Sequence, residues 1–355
     1  MQRKPHKIIT NDNSKQAKML PNFAALDLGT NNCRLLIATG DRASLSSSSN
    51  LRVVDSFSRI VRLGDSITET GKLSQAAMER TIDALTICKR KMERYDLSGQ
   101  RLVATEACRK AANTPDFIAR VKRELDLDIE VINNEEEAKL AVIGCSSLLS
   151  HDAQKAIVFD IGGGSTEVIW IDVQKLMEKK LSSGGSFLDL DGVVIDWISV
   201  DSGVMNLADR FGGASFADVT YDDMVKFLKN KLTEFSERNR IAETIASEAV
   251  QMVSTSGTLT TLGAICLGLP KYDRTKIDGL SLPLADIRDT IDSIYHMRPS
   301  ERFNNGCIGP ERADFILSGC AVFDAMSRLW PVDNISIADR GVREGIILSL
   351  MLGHG

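Results

Sequence analysis

Aromatic residues are scarce in this sequence, and basic residues do not outnumber acidic ones. Phe, Trp and Tyr make up 5% of the 355 residues, which leaves few rings for stacking on nucleic-acid bases. The 43 Lys and Arg residues face 48 Asp and Glu residues, so the formal net charge is −5. Without a global positive field, neither a nucleic acid nor a membrane surface is expected as a partner. Any polyanionic ligand must therefore be held locally.

Paired cysteines and long apolar runs are also missing. The seven cysteines are odd in number and form no C-x-x-C pair, which argues against a disulfide framework or a zinc knuckle. No run of 18 apolar residues occurs, and the basic, polar residues 1–20 are not followed by the apolar segment of a signal peptide. We therefore predict a cytoplasmic protein with reduced thiols and a disordered tail over residues 1–20.

What is present is the length and pattern of a two-domain α/β protein. A chain of this length favours two domains, and strand patterns alternate with helical ones. Apolar spacing predicts a helix from Ser74 to Met92 and a helix that begins at Thr114. The segment RLVATEA is predicted as a strand, and residues 221–249 as one long polar helix.

A hairpin with a glycine turn occurs twice, which suggests two similar halves. It spans residues 23–39 and recurs at 156–172. We predict a first lobe over residues 21–153 and a second lobe over 154–340. The apolar helix within 341–355 is expected to join the first lobe.

The strongest local motif places three glycines between two carboxylates at the end of an apolar strand. Glycines without Cβ atoms let backbone N–H groups approach phosphate oxygens, and hydroxyls add donors. The two carboxylates are suited to an oxygen-ligated Mg²⁺. The alternative is a tight hairpin turn without a ligand. The motif consists of Asp160, Ile161, Gly162, Gly163, Gly164, Ser165, Thr166 and Glu167.

Two further turns have related chemistry. One follows Asp27 and contains Gly29, Thr30 and Asn31. The other contains Ser256, Gly257 and Thr258 within a run rich in hydroxyl groups. Each is common in ordinary loops, but three such turns in a two-lobed chain predict one phosphate cleft between the lobes.

Seven segments in order carry a resemblance to a known family. Three glycine turns in a two-lobed chain resemble the actin, sugar-kinase and heat-shock chaperone superfamily, and the ordered segments resemble its exopolyphosphatase and guanosine pentaphosphate phosphatase (Ppx/GppA) family. The resemblance covers roughly residues 23–350 and implies a two-lobed, actin-like (ribonuclease H-like) α/β fold. The segments are DLGTNNCRLLI (27–37), the T-x-A-x-R-x-A-x-N run (105–113), EEEAKL (135–140), DIGGGSTE (160–167), SGTLTTLGAI (256–265), PERAD (310–314) and DRGVREG (339–345).

The resemblance implies roles for individual residues. Glu137 matches the catalytic base, Arg109 matches a phosphate-clamping arginine, and Asp160 and Glu167 match the metal carboxylates. Mg²⁺ is the expected metal, with Mn²⁺ as an alternative. The chemistry agrees, because a carboxylate among like charges has a raised pKa suited to deprotonating water. Without the resemblance, Glu137 would be interpreted as part of a solvated acidic run at a helix N-terminus.

Three segments depart from the family pattern. Asn32 stands where Ser or Thr is usual, and SVDSGVM (199–205) lacks the usual proline. The segment SSGGSFLDLDGVVID (182–196) is longer than the usual hairpin. The geometry of phosphate binding at these segments is therefore expected to differ from the family pattern.

The predicted function is metal-dependent removal of the terminal phosphate from a phosphoanhydride chain. Inorganic polyphosphate is the first candidate substrate and guanosine pentaphosphate the second. Two alternatives stay open, namely phosphotransfer from polyphosphate to ADP and a non-catalytic sensor of (p)ppGpp or polyphosphate. A homodimer is an open alternative to a monomer.

Overall fold

Two β-sheets with related strand orders form the frame of the protein. A computed structural model describes residues 20–40, 51–182, 190–212 and 218–353. All of the predicted tail except residue 20 lies outside the described residues, as do residues 41–50 and residues 183–189 of the long segment 182–196.

The sheet of the first lobe has the order β3-β2-β1-β4-β5. Strands β1, β2 and β3 are antiparallel neighbours, whereas β4 and β5 extend the sheet in parallel from β1. The strands are β1 Asn22–Leu28, β2 Asn32–Thr39, β3 Arg52–Ile60, β4 Leu97–Ala104 and β5 Ile129–Val131.

The sheet of the second lobe repeats this plan and adds one edge strand. Its order is β10-β11-β9-β6-β7-β8, with β6, β7 and β8 antiparallel and β9 and β11 parallel to β6. The predicted recurrence of the glycine-turn hairpin is therefore β1–β2 and β6–β7. The strands are β6 Lys155–Ile161, β7 Thr166–Asp172, β8 Val194–Val200, β9 Val250–Ser254, β10 Leu280–Pro283 and β11 Asn334–Ile337.

The central strands β1 and β6 have the same burial pattern. Each is buried over four consecutive residues and again at its last residue, because helices cover both faces of each sheet. The pattern is interrupted at Asp27 in β1 and at Asp160 in β6, which are partly exposed. Each central strand thus brings one carboxylate to the same end of its sheet.

The helices predicted from Ser74 and from Thr114 are both present, whereas two other predictions are exceptions. Ser74 caps the helix predicted after it by accepting a hydrogen bond from the Ala77 N–H. The helices are α1 Ile67–Thr70, α2 Gln75–Met92, α3 Glu106–Lys110, α4 Thr114–Leu125, α5 Asn134–Cys145, α6 Val173–Ser182, α7 Val204–Arg210, α8 Asp218–Arg238, α9 Ile241–Ser247, α10 Gly257–Cys266, α11 Arg274–Ile277, α12 Leu284–His296, α13 Pro299–Asn304, α14 Ile316–Leu329 and α15 Val342–Gly353.

The exceptions are a helix that is split in two and a strand that begins and ends earlier than predicted. The single helix predicted over 221–249 is wrong, because Arg240 adopts a left-handed backbone (φ 50°) that separates α8 from α9. The predicted strand RLVATEA ends at Ala104, and its last residues belong to α3.

Helix α15 crosses back and packs on the first lobe. Its Ile346, Ile347 and Met351 share a buried cluster with Phe23 and Leu36 of the first sheet. Helix α5 lies directly beside α15, and the approach is so close that a methyl group at Gly345 would overlap the carbonyl oxygen of Leu140. Glycine is required there for close packing, since Gly345 has an ordinary helical backbone.

We expect Gly345→Ala to lower the free energy of unfolding by about 2–3 kcal/mol, because α15 must move away from α5 to admit the methyl group. Gly353→Ala is the matched control in the same helix, since a Cβ there contacts nothing within 4 Å. Chemical denaturation of the two variants measures the difference. Equal stabilities would contradict the packing described here.

Candidate active site

A cleft between the lobes collects polar residues from both sheets. It encloses about 970 Å³, including solvent-filled space. Its lining combines the turn after β1, the turn after β6, the N-terminal ends of six helices and five carboxylates. The lining residues are Asp27, Gly29, Thr30, Asn31, Asn32, Arg34, Thr105, Glu106, Glu137, Asp160, Ile161, Gly162, Gly163, Gly164, Ser165, Glu167, Val204, Gly257, Thr258, Arg312, Phe315, Ile316 and Val342.

The two glycine-turn hairpins place their carboxylates at matching positions. Asp27 pairs across the strands with Arg34, and Asp160 pairs with Glu167. In both hairpins the partner follows the aspartate by seven residues. The first lobe therefore presents a carboxylate and a guanidinium, whereas the second lobe presents two carboxylates.

The glycine turn of the second lobe is held by the start of α7. The carbonyl oxygens of Gly162 and Gly163 accept hydrogen bonds from the backbone N–H groups of Val204 and Met205, both at 2.9 Å. The carbonyl of Gly164 accepts one from the Asn206 side chain at 2.6 Å. Because the N–H and C=O of a trans peptide point in opposite directions, the N–H groups that follow these carbonyls point away from α7. They are donors suited to a phosphate.

The turns of the two lobes meet closely across the cleft. A Cβ atom at Gly164 would lie 2.8 Å from Thr30 Oγ1, and one at Gly163 would lie 3.0 Å from the Asn31 Cβ. Thr30 Oγ1 and Asn31 Oδ1 are buried and have no hydrogen-bond partner among the described residues. Buried polar atoms without partners are costly, which indicates that a ligand completes this site.

Two arginines from different lobes converge on the third turn. Ser256 caps α10 by accepting a hydrogen bond from Leu259, and Gly257 begins the helix. A Cβ atom at Gly257 would lie 3.7 Å from the Nη2 atom of Arg34 and also 3.7 Å from the Nη2 atom of Arg312. Burial and the charge of Arg34 lower the pKa of Arg312. This end of the cleft therefore attracts anions through two guanidinium groups and a helix N-terminus.

Four carboxylates in the cleft have a raised pKa and hold their protons more tightly than usual. Burial raises the pKa of Glu137 to about 8, and the negative charge of Glu167 adds to this shift. Burial also raises the pKa of Asp160 and of Glu167 to about 7. The same cause raises the pKa of Asp27. Like charges in a buried space thus favour protonation unless a cation enters.

Glu137 lies at the start of α5, close to Arg109. Asn133 caps this helix by accepting a hydrogen bond from Glu136, and Glu137 follows in the first turn. Glu137 Oε2 lies 2.7 Å from Arg109 Nη1. A carboxylate with a raised pKa that lines a phosphate cleft has the properties of a general base near neutral pH.

Three of the predicted phosphate-binding residues do not line the cleft in the described part of the chain, because their side chains have other partners. The Arg109 guanidinium lies between Glu106 and Glu137 and also donates to the carbonyl of Ile132. Thr166 Oγ1 donates to the carbonyl of Ser202, and the Ser256 hydroxyl caps α10. Arg109 therefore orients carboxylates here, and the other two residues stabilise local backbone.

The predicted metal carboxylates both line the cleft. Glu167 Oε1 accepts hydrogen bonds from Ser165 at 2.5 Å and Ser199 at 3.0 Å, which orient the group. Among the residues that the structure describes, no group of three or more His, Cys, Asp or Glu side chains is placed to hold a metal. Two carboxylates fit Mg²⁺, which is usually held by one or two carboxylates together with water and substrate phosphates.

Asp27, Arg34, Glu106 and Arg312 are cleft residues that the sequence did not assign. The sequence did contain one signal for Arg34, because an alignment of the two hairpins puts Arg34 at the position equivalent to Glu167. Arg312 lies in the PERAD segment, but nothing local indicates that its side chain reaches α10.

A model of the Ppx/GppA phosphatase family matches residues 43–354. The chain belongs to this family. Among curated Ppx/GppA relatives, Exopolyphosphatase 2 of Mycobacterium tuberculosis is 28% identical over 93% of this chain and 99% of its own length. Guanosine-5'-triphosphate,3'-diphosphate pyrophosphatase of Aeromonas hydrophila is 26% identical over 93% of this chain, which spans 60% of that relative.

A solved structure of the Aquifex aeolicus Ppx/GppA family member has the same fold. It is 27% identical, has a TM-score of 0.74, and covers 95% of this chain and 99% of its own. The predicted family, the two-lobed actin-like α/β fold and the phosphohydrolase class are thereby confirmed. In the described ranges of the chain, the helices are too short or too polar to cross a membrane.

The raised pKa values predict how pH affects the stability of the metal-free protein. A carboxyl whose pKa is higher in the folded state stabilises the fold below its unfolded pKa, and this stability is lost as pH rises through the folded pKa. The window therefore runs from the ordinary carboxyl range to about pH 8. We expect the Tm of the EDTA-treated protein to fall by about 5 °C between pH 5 and pH 8.

Thermal scans with and without Mg²⁺ measure this effect. Mg²⁺ should raise the Tm more at pH 8 than at pH 5, because the cation replaces the protons. Glu167→Gln should flatten the pH dependence, whereas Glu93→Gln, on an exposed helix end, should not. A Tm that is constant over this range would contradict the assignment.

Proposed function

We propose that this Ppx/GppA protein hydrolyses the terminal phosphoanhydride bond of inorganic polyphosphate, and also that of guanosine pentaphosphate. The observation that carries the proposal is the placement of Glu137 in one cleft with the backbone N–H donors of Gly163–Ser165 and the cations Arg34 and Arg312. A base, a phosphate cradle and a second anion-binding end are the parts that this reaction needs. The names of the two curated relatives support the same pair of substrates.

In the proposed mechanism, the backbone N–H groups of the glycine turn bind the terminal phosphoryl group. Glu137 accepts a proton from the attacking water and orients it. Arg34 and Arg312 bind the phosphates that follow, so they fix the direction of the chain in the cleft. Asp160 and Glu167 would hold Mg²⁺, which neutralises negative charge on the phosphates when bound.

Arg109 acts behind the carboxylates in this proposal. Its charge lowers the pKa of Glu137 against the effect of burial. It thereby keeps part of the Glu137 population ionised and available as a base at neutral pH. This role replaces the direct phosphate clamp that the family resemblance implies.

Several wider predictions belong to the same proposal. Polyphosphate remains the first candidate substrate, since the cleft residues described here have no evident means of reading a guanine base. The cysteines within the described ranges are free thiols, which supports the predicted cytoplasmic location. No observation favours phosphotransfer to ADP or a sensor without activity.

We expect Glu137→Gln to lower kcat by about 10²–10⁴-fold while substrate still binds, because the amide keeps the shape of the side chain but accepts no proton. Phosphate release from polyphosphate and from guanosine pentaphosphate measures kcat. Glu135→Gln is the control, since Glu135 lies on the same helix and pairs with Lys139 outside the cleft. Full activity of Glu137→Gln would rule out Glu137 as the base.

A further inference from the structure

Glu106 is a cleft carboxylate for which the reaction has no evident use. It occupies an open position of the T-x-A-x-R-x-A-x-N motif and begins α3. The residue is 7% exposed and lines the cleft. A negative charge in this place opposes the binding of a phosphate chain, so its presence requires a reason.

The carboxylate of Glu106 pairs with two cations at once. Its Oε2 lies 3.0 Å from Arg109 Nη2, and its Oε1 lies 2.7 Å from Lys110 Nζ. Lys110 also contacts Asp201, which belongs to the second lobe. The two cations beside Glu106 are therefore neutralised by carboxylates of the protein itself.

Glu106 also lies opposite the glycine turn of the second lobe, Gly162–Ser165. A Cβ atom at Gly164 would lie 3.1 Å from the Cγ of Glu106. The carboxylate thus lies beside the turn whose N–H groups receive the terminal phosphoryl group in the proposed function. A phosphate in this turn therefore meets the negative charge of Glu106, because Arg109 and Lys110 lie behind Glu106 and do not line the cleft.

We infer that Glu106 is an affinity-determining residue, a built-in anion that lines the cleft in front of Arg109 and Lys110, neutralises their charge and weakens the binding of oligophosphates. The inference rests on the proposed function, because it takes the cleft to be a phosphate site. Its physical basis is that two anions in one poorly solvated space repel each other. Removal of the Glu106 charge leaves Arg109 paired with Glu137 and Lys110 paired with Asp201, and makes the charge beside the glycine turn more positive.

The test uses Glu106→Gln, which keeps the size of the side chain and removes its charge. With tripolyphosphate as substrate, we expect KM to fall about tenfold while kcat changes less than about threefold. Isothermal titration with methylene diphosphonate, which is not hydrolysed, should show a similar gain in affinity. Melting curves verify that the variant is folded, and Glu106→Ala replaces it if it is not.

Two further variants make the test specific. Glu130→Gln removes the same charge from the same lobe, but Glu130 pairs with Arg101 outside the cleft, so its affinity for the diphosphonate should not change. Adding Lys110→Gln to Glu106→Gln should cancel part of the gain, because one of the two cations whose charge Glu106 neutralises is lost.

Several outcomes would overturn the inference. Unchanged affinity in Glu106→Gln would show that Glu106 does not compete with phosphate. A lower kcat with unchanged or weaker binding would show that Glu106 positions Arg109 for catalysis instead. If wild type and all variants neither hydrolyse tripolyphosphate nor bind the diphosphonate, the proposed function fails together with the inference. Hydrolysis with unaltered affinity contradicts the inference alone.

Discussion

Repulsion between buried carboxylates is the constraint on which the cleft depends. Asp27 and Asp160 interrupt the burial pattern of two central strands, and Glu137 and Glu167 join them in the same poorly solvated space. Such a group of acids is stable only with protons or cations among them. The protein supplies Arg34 and Arg312 at one end and Arg109 at the other. In the proposed function a polyanion enters a site that is itself acidic, and a divalent cation between the two would relieve their repulsion.

The repeated hairpin shows how one backbone plan serves two electrostatic roles. Both hairpins place an aspartate at the second-last position of a central strand, turn through glycine and place a second charged side chain seven residues after the aspartate. In the first lobe that side chain is Arg34, whose charge suits an anion. In the second lobe it is Glu167, whose charge suits a cation. A difference in residue type at equivalent positions thus gives the two sides of the cleft opposite charges.

The sequence predicted what depends on local backbone and failed where tertiary contacts decide. The glycine turns were predictable because only residues without Cβ atoms permit the close approach of Gly164 to Thr30. Arg109 is different, because its motif position is compatible with facing either the cleft or the carboxylates. Its orientation follows from the contacts with Glu106 and Glu137, and only the second of these residues had been assigned a role. Arg312 approaches Arg34 only after the lobes assemble. The break at Arg240 had no glycine or proline to mark it.

The path of the chain also has a consequence for synthesis on the ribosome. Strands β1 to β5 are translated before the second sheet, yet one face of their sheet is covered by α15, which is translated after the second sheet. The second sheet, from Lys155 to Ile337, is a continuous insertion that has all its strands before α15 appears. The first lobe is therefore begun before the second lobe and completed after it, and its partly open apolar face must await the translation of α15. Loss of α15 would leave the second lobe's strands intact but the first lobe unfinished.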